Sequence, residues 1–125
     1  MSSALRKMLR ATVFVVALPA SVIHAQTAAP ARVYKFVTYT TSPEKFQAFL
    51  AQCEINANAT RKETGTVEFE VLEPQNTPNT VMFLEEYRNQ AASDAHMRTA
   101  HFLAFKQAVA HAEAKRSAVQ AARFR

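Results

Sequence analysis

The hydrophobic period of this chain switches between two residues and 3.6 residues several times, and the order of those switches limits the folds open to it. Arg32–Thr41 is rich in β-branched and aromatic residues and has no helical period, so it reads as a strand. Ser42-Pro43-Glu44 then supplies a cap, a proline for the first turn and an acid beside a helix N-terminus. From there Phe46, Phe49, Leu50, Cys53 and Ala57 recur at helical spacing, which predicts a helix over Pro43–Glu63. Gly65, the single glycine, stands where a left-handed helix stop is expected.

Thr66–Glu73 alternates, with Val67, Phe69 and Val71 on one side and Glu68, Glu70 and Leu72 on the other. The turn cluster Pro74–Asn79 separates it from a second strand, Thr80–Arg88, giving a hairpin with a six-residue loop. Asn89–Ala112 returns to a helical pattern capped by Asn89, with Ala91, Ala92, Ala95, Phe102, Phe105 and Val109 as core candidates. Thr99 is a candidate cap for a second helical piece starting at Ala100. The alanine-rich tail could continue the helix on propensity, but a short strand there closes a β-α-β-β-α-β pattern. The fold class expected is therefore α+β, ferredoxin-like, with both helices on one face of an antiparallel sheet.

The other face of that sheet sets a further condition. Alternation on the first strand sends Tyr34, Phe36 and Thr38 to one side and Val33, Val37 and Tyr39 to the other. Both sides carry apolar bulk and the helices cover only one, so a homodimer with sheet packed on sheet is expected.

Size and charge narrow the function. A chain of 125 residues holds one domain. One cysteine, Cys53, excludes an internal disulfide framework and any zinc site built on several thiolates. Residues 1–10 carry Arg6, Lys7 and Arg10 and no acid, and Ala11–Ala25 is apolar with a small residue at its end. That is the layout of a secretory signal peptide. Its apolar stretch of about 13 residues falls short of the roughly 20 that span a bilayer. Cleavage is expected after Ala25, with Ala28 or Ala29 as alternatives, leaving Gln26–Ala31 as a flexible leader and 32–125 as the domain. A periplasmic or secreted location follows, with no stable membrane association afterwards. Without the three leading cations, 12 basic residues face 10 acidic ones, a charge of +2. No polybasic footprint for nucleic acid remains.

Three motifs follow one another along the domain. They are Glu63-Thr64-Gly65-Thr66-Val67-Glu68-Phe69-Glu70, then Glu85-Glu86-Tyr87, then Ala95-His96-Met97-Arg98-Thr99-Ala100-His101-Phe102. In order and spacing they resemble the antibiotic biosynthesis monooxygenase family over about Val33–Ala110. Relatives often carry Trp where Tyr87 stands and Pro where Ala100 stands. The resemblance implies a dimeric α/β-barrel type of ferredoxin-like fold and, among several activities known in the family, oxidation of quinols by oxygen without metal or flavin.

Such chemistry needs a base to deprotonate the phenol, a polar partner for the second ring oxygen and aromatic walls in a dry pocket. His96 and His101 are the candidate bases, since histidine titrates near neutrality. On one ideal helix residues five apart diverge by about 140°, so they cannot share a metal as an i,i+4 pair would; a break at Thr99 could reorient them, but even then no metal site is expected. Glu70 and Glu85, on neighbouring strands, are candidate carboxylates for the site, or ion-pair partners of Arg61, Arg88 or Arg98. Tyr39, Phe69, Phe83, Tyr87 and Phe102 are candidate walls for a small aromatic substrate, or core filling. No cofactor is expected. Two other functions compete: a small-molecule isomerase or tautomerase, and a non-catalytic module binding an aromatic ligand or haem.

Overall fold

The computed structural model describes residues 30–124, so the expected signal segment and most of the leader lie outside the described residues. The elements run β1 (Val33–Thr40), α1 (Pro43–Thr60), β2 (Thr66–Leu72), β3 (Thr80–Tyr87), α2 (Gln90–His96), α3 (Ala100–His111) and β4 (Lys115–Ala121). The strands form one antiparallel sheet in the order β2-β3-β1-β4. This is the ferredoxin-like arrangement, with the tail resolved as a strand: β4 pairs along β1 from Tyr34↔Ala121 to Thr40↔Lys115.

The helical stripe of α1 buries Phe46, Phe49, Cys53 and Ala57 against the sheet, joined by Asn56 and Thr60. Val37, Tyr39, Phe69, Val81, Phe83 and Phe105 complete the core. Its aromatic rings meet edge to face or tilted, with Tyr39 5.5 Å from both Phe83 and Phe105, and Phe69 5.0 Å from Phe83. Each buried phenylalanine contributes about 1.5–3 kcal/mol of hydrophobic stabilisation, so this cluster is the main glue between the layers.

The helical stretch Asn89–Ala112 is interrupted at Thr99, as its sequence allowed: Met97 closes α2, and Thr99 caps α3 by accepting from the Phe102 amide at 3.3 Å. Two expectations need correction. First, α1 ends at Thr60, because Arg61–Gly65 turns back to enter β2. Second, Gly65 is not left-handed; the positive-φ residues among those described are Asn76, Asn79 and Glu113. Gly65 is required by proximity instead. A Cβ placed on it would lie 2.4 Å from the Cβ of Ala92 in α2. The glycine lets α2 settle against the turn that precedes β2.

The remaining sheet face is left uncovered by the described residues. Phe36, Leu72 and Val119 are 42%, 44% and 60% exposed; Val119, Phe36 and Leu84 align in one row across β4, β1 and β3, and Leu72 pairs with Met82 in the next row on the same face. Val67 departs from the expected alternation. It is exposed, at the irregularity that shifts the β2–β3 register between Thr66 and Glu68.

Candidate functional site

The break at Thr99 turns the two histidines toward each other. His96 ends α2 and is buried with Ser93, its neighbour one turn back. His101 sits in the first turn of the new helix, and the imidazole centroids come within 5.7 Å. The divergence expected of one continuous helix does not apply. Thr99 holds the junction by donating its hydroxyl proton to the His96 carbonyl at 2.7 Å.

Both rings point at one carboxylate, that of Glu63. His96 Nδ1 is 2.8 Å and His101 Nε2 2.7 Å from the same oxygen, Oε1. Glu63 is fixed by backbone bonds on either side, its amide donating to Thr60 O at 3.0 Å and its carbonyl accepting from Thr66 N at 3.1 Å. The residue was missed as a site candidate from the sequence, although the Glu-Thr-Gly motif contains it. Its spacing to the histidines is too long for any local pattern to connect them.

The surrounding bonds settle the tautomers. A carboxylate only accepts, so each imidazole donates to it. Thr60 and Thr99 lie 3.4 and 3.2 Å from His101 Nε2, and each already donates its hydroxyl proton to a backbone carbonyl, Asn56 O and His96 O. They therefore offer only lone pairs to Nε2, which carries the proton. His96 is protonated at Nδ1 and keeps its lone pair on Nε2. Burial lowers the His96 pKa, outweighing the upward pull of Glu63, and keeps the ring neutral near pH 7.

Aromatic rings enclose His96: Phe102 at 4.9 Å, Tyr87 at 5.5 Å and Phe69 at 6.2 Å between centroids. Behind Tyr87 lies Glu85, 6% exposed, whose Oε2 accepts the Tyr87 hydroxyl at 2.8 Å. Burial pushes the Glu85 carboxyl up, and Tyr87, Lys35 and Arg116 only partly oppose it. Burial and the Glu85 charge push the Tyr87 phenol up as well. The Lys35 ammonium stands 5.8 Å over the Tyr87 ring.

Of the expected site residues, His96, His101, Tyr87, Glu85, Phe69 and Phe102 thus form one connected assembly. Glu70 is outside it, on the exposed side of β2 with its carboxylate 4.0 Å from Arg61. Tyr39 and Phe83 are packed within the core, 5% and 1% exposed. The layer between sheet and helices is filled, because Phe49, Phe69, Phe83, Phe105 and Tyr39 occupy it. Clefts open elsewhere, such as one of about 590 Å³ between α1 and α3 and one of about 690 Å³ beside Arg32, Tyr34 and Arg123. At the histidine cluster, the accessible rim consists of His101, Glu63 and the half-buried Phe102.

Comparison with known proteins identifies the family and the fold. Residues 32–108 match the family model described as antibiotic biosynthesis monooxygenase. The chain is 33% identical over 63 residues to the Bacillus subtilis protein named "Putative monooxygenase YcnE", covering 50% of this chain and 66% of that protein. A Synechocystis relative of uncharacterised function is 32% identical over 63 residues, 43% of its length. The chain thus spans less than two thirds of either curated relative. Among solved structures, PA3566 from Pseudomonas aeruginosa superposes with a TM-score of 0.72 at 19% identity, covering 78% of this chain and 99% of that one. A Nitrosomonas europaea protein described as a "Putative antibiotic biosynthesis monooxygenase" gives 0.71 at 23% identity, over 76% and 92%. At those identities the structural likeness establishes the fold, and the family model extends over most of the domain: this chain belongs to the antibiotic biosynthesis monooxygenase family.

Proposed function

We propose that the chain is an exported, homodimeric monooxygenase that oxidises a small hydroquinone or related phenol with O2 and no cofactor. The observation that carries this reading is Glu63 accepting from both imidazoles, which orients His96 with its Nε2 lone pair among Phe69, Tyr87 and Phe102. A phenol is a poor one-electron donor, and its anion a far better one. A neutral imidazole held by a carboxylate is a suitable acceptor for the phenolic proton, and Glu63 stabilises the imidazolium that forms. Apolar rings around the base shield the anion from water while an electron passes to O2.

The substrate ring approaches past the rim of His101 and Phe102. Phe102, half-buried, is the ring that gives way, and the substrate stacks in its place against His96. Tyr87, its hydroxyl committed to Glu85, serves as a fixed aromatic wall. The exposed band of Phe36, Leu72 and Val119 supports the dimer, and the basic-then-apolar segment of residues 1–25 supports export.

The test is oxygen uptake by chelator-treated, flavin-free protein across a panel of hydroquinones. Uptake above spontaneous autoxidation is expected, falling by about 10²–10⁴ in His96→Ala. No enzymatic uptake across the panel overturns the reading. Turnover of a carbonyl substrate under anaerobic conditions would assign the same base to isomerisation.

A further inference from the structure

The geometry points to a binding site for a late first-row divalent metal ion, zinc above all, formed by Glu63 Oε1, His96 Nδ1 and His101 Nε2. These three atoms all lie within 4.8 Å of one another and come from three separate segments, the turn after α1, the end of α2 and the start of α3. Two imidazole nitrogens and one carboxylate oxygen with a fourth position open form a donor set suited to zinc. Bonds of about 2.0 Å at tetrahedral angles put ligand atoms about 3.3 Å apart. The present separations from Oε1 are 2.7 and 2.8 Å, so each of these two widens by about 0.5 Å to admit the ion. A rotation of the Glu63 side chain supplies a shift of that size while its backbone bonds to Thr60 and Thr66 stay in place. Thr60 and Thr99, 3.4 and 3.2 Å from His101 Nε2, stand ready to accept from a water in the open position.

Metal and base are mutually exclusive uses of the cluster. To coordinate through Nδ1, His96 carries its proton on Nε2 instead, and His101 frees its Nε2. The Nε2 lone pair of His96 disappears in that exchange, so a bound ion switches off proton removal. This regulatory consequence rests on the reading of His96 as the base; the metal site itself does not.

Titration of the purified, chelator-treated full chain with zinc chloride by calorimetry, and with cobalt chloride by visible absorption, tests the site. One equivalent per chain is expected, with affinity falling by at least about tenfold in both Glu63→Gln and His101→Asn. Thermal unfolding with and without zinc keeps the test sound: the midpoint rises in the wild type and stays fixed in either variant that folds. The surface variant His111→Asn binds as the wild type does. Absence of saturable uptake, unchanged affinity in the folded site variants, or loss in His111→Asn overturns the proposal. Zinc that binds without slowing oxygen uptake upholds the site and removes His96 as the base. Turnover without zinc binding does the reverse.

Discussion

Gly65→Ala separates two accounts of why the chain has glycine at that point. The added Cβ would lie 2.4 Å from Ala92 Cβ and 3.2 Å from Ala92 Cα. Carbon atoms rest at about 3.5–4.0 Å, so α2 must retreat by about an ångström or more. Overpacking of this kind costs about 1–3 kcal/mol, and the lost backbone freedom of the unfolded chain returns about 0.4–1 kcal/mol. The net loss is about 1–2 kcal/mol, or roughly 4–15 °C in melting temperature for a domain of this size. The clash is with one methyl group, so Ala92→Gly should rescue it. Alone that change costs about 1 kcal/mol through helix propensity, and the double variant should be no worse. Urea unfolding of all four proteins, followed by circular dichroism, gives a coupling energy of about 1–2 kcal/mol. Additivity to within about 0.5 kcal/mol would refute the steric reasoning. So would Gly65→Asn outlasting Gly65→Ala, since asparagine relieves a left-handed backbone and not a crowded one. Ala92 precedes His96 by one helical turn, so the retreat of α2 also pulls His96 from Glu63, and oxygen uptake should fall in Gly65→Ala and recover in the double variant.

Burial raises the Glu85 pKa above its unfolded value, with Tyr87, Lys35 and Arg116 opposing and Glu63 assisting. Its contribution to stability is therefore fully present below the unfolded pKa and lost as pH rises through the folded one. Glu85→Gln should then stabilise the fold by about 1 kcal/mol at neutral pH and by nothing at pH 3; equal effects at both pH values in urea unfolding would refute this. The Cys53 thiol, fully buried, is pushed up to about 12. It should resist alkylation at pH 8 in the folded protein and react in urea, as mass spectrometry would show. Phe36→Glu places a charge in the exposed apolar band at the centre of β1 and should convert the proposed dimer to a monomer in sedimentation, with melting lowered; an unchanged dimer would move the interface elsewhere, and a monomeric wild type would remove the dimer.

Local patterns carried the fold a long way. The stripe Phe46, Phe49, Cys53 and Ala57 is buried, and the Pro74–Asn79 cluster lies in the connection that separates β2 from β3, because both depend on neighbours within a few residues. β4 was legible only through its context: Lys-Arg-Ser-Ala-Val-Gln-Ala has no strong strand signal, and its side chains stay mostly exposed. The pairing available along β1 overrides the helical propensity of its alanines. Gly65 was misread because a helix stop and a close approach both call for glycine, and only the position of Ala92 distinguishes them. The filled layer under the helices had a similar origin, since periodicity shows which rings face inward and not whether they leave a space.

The histidine cluster shows why spacing alone fails at such a site. Two residues five apart cannot converge on a continuous helix, yet here they share one carboxylate oxygen. What reconciles the two is a single extended residue. Thr99 has ψ 152°, far from helical, so α3 leaves in a new direction and carries His101 back toward His96. The threonine side chain then bonds both sides of the break, accepting from the Phe102 amide and donating to the His96 carbonyl. An alanine there would remove both bonds, at about 1 kcal/mol for the cap, and would free the helix to run through. In that straightened form His101 would rotate away from Glu63 and leave one imidazole to hold the carboxylate. The cap therefore decides both where the helix ends and whether the two imidazoles meet on Glu63. Its signal is readable in the sequence as a threonine before a helical run, but its consequence appears only once Glu63 is in place to receive both rings.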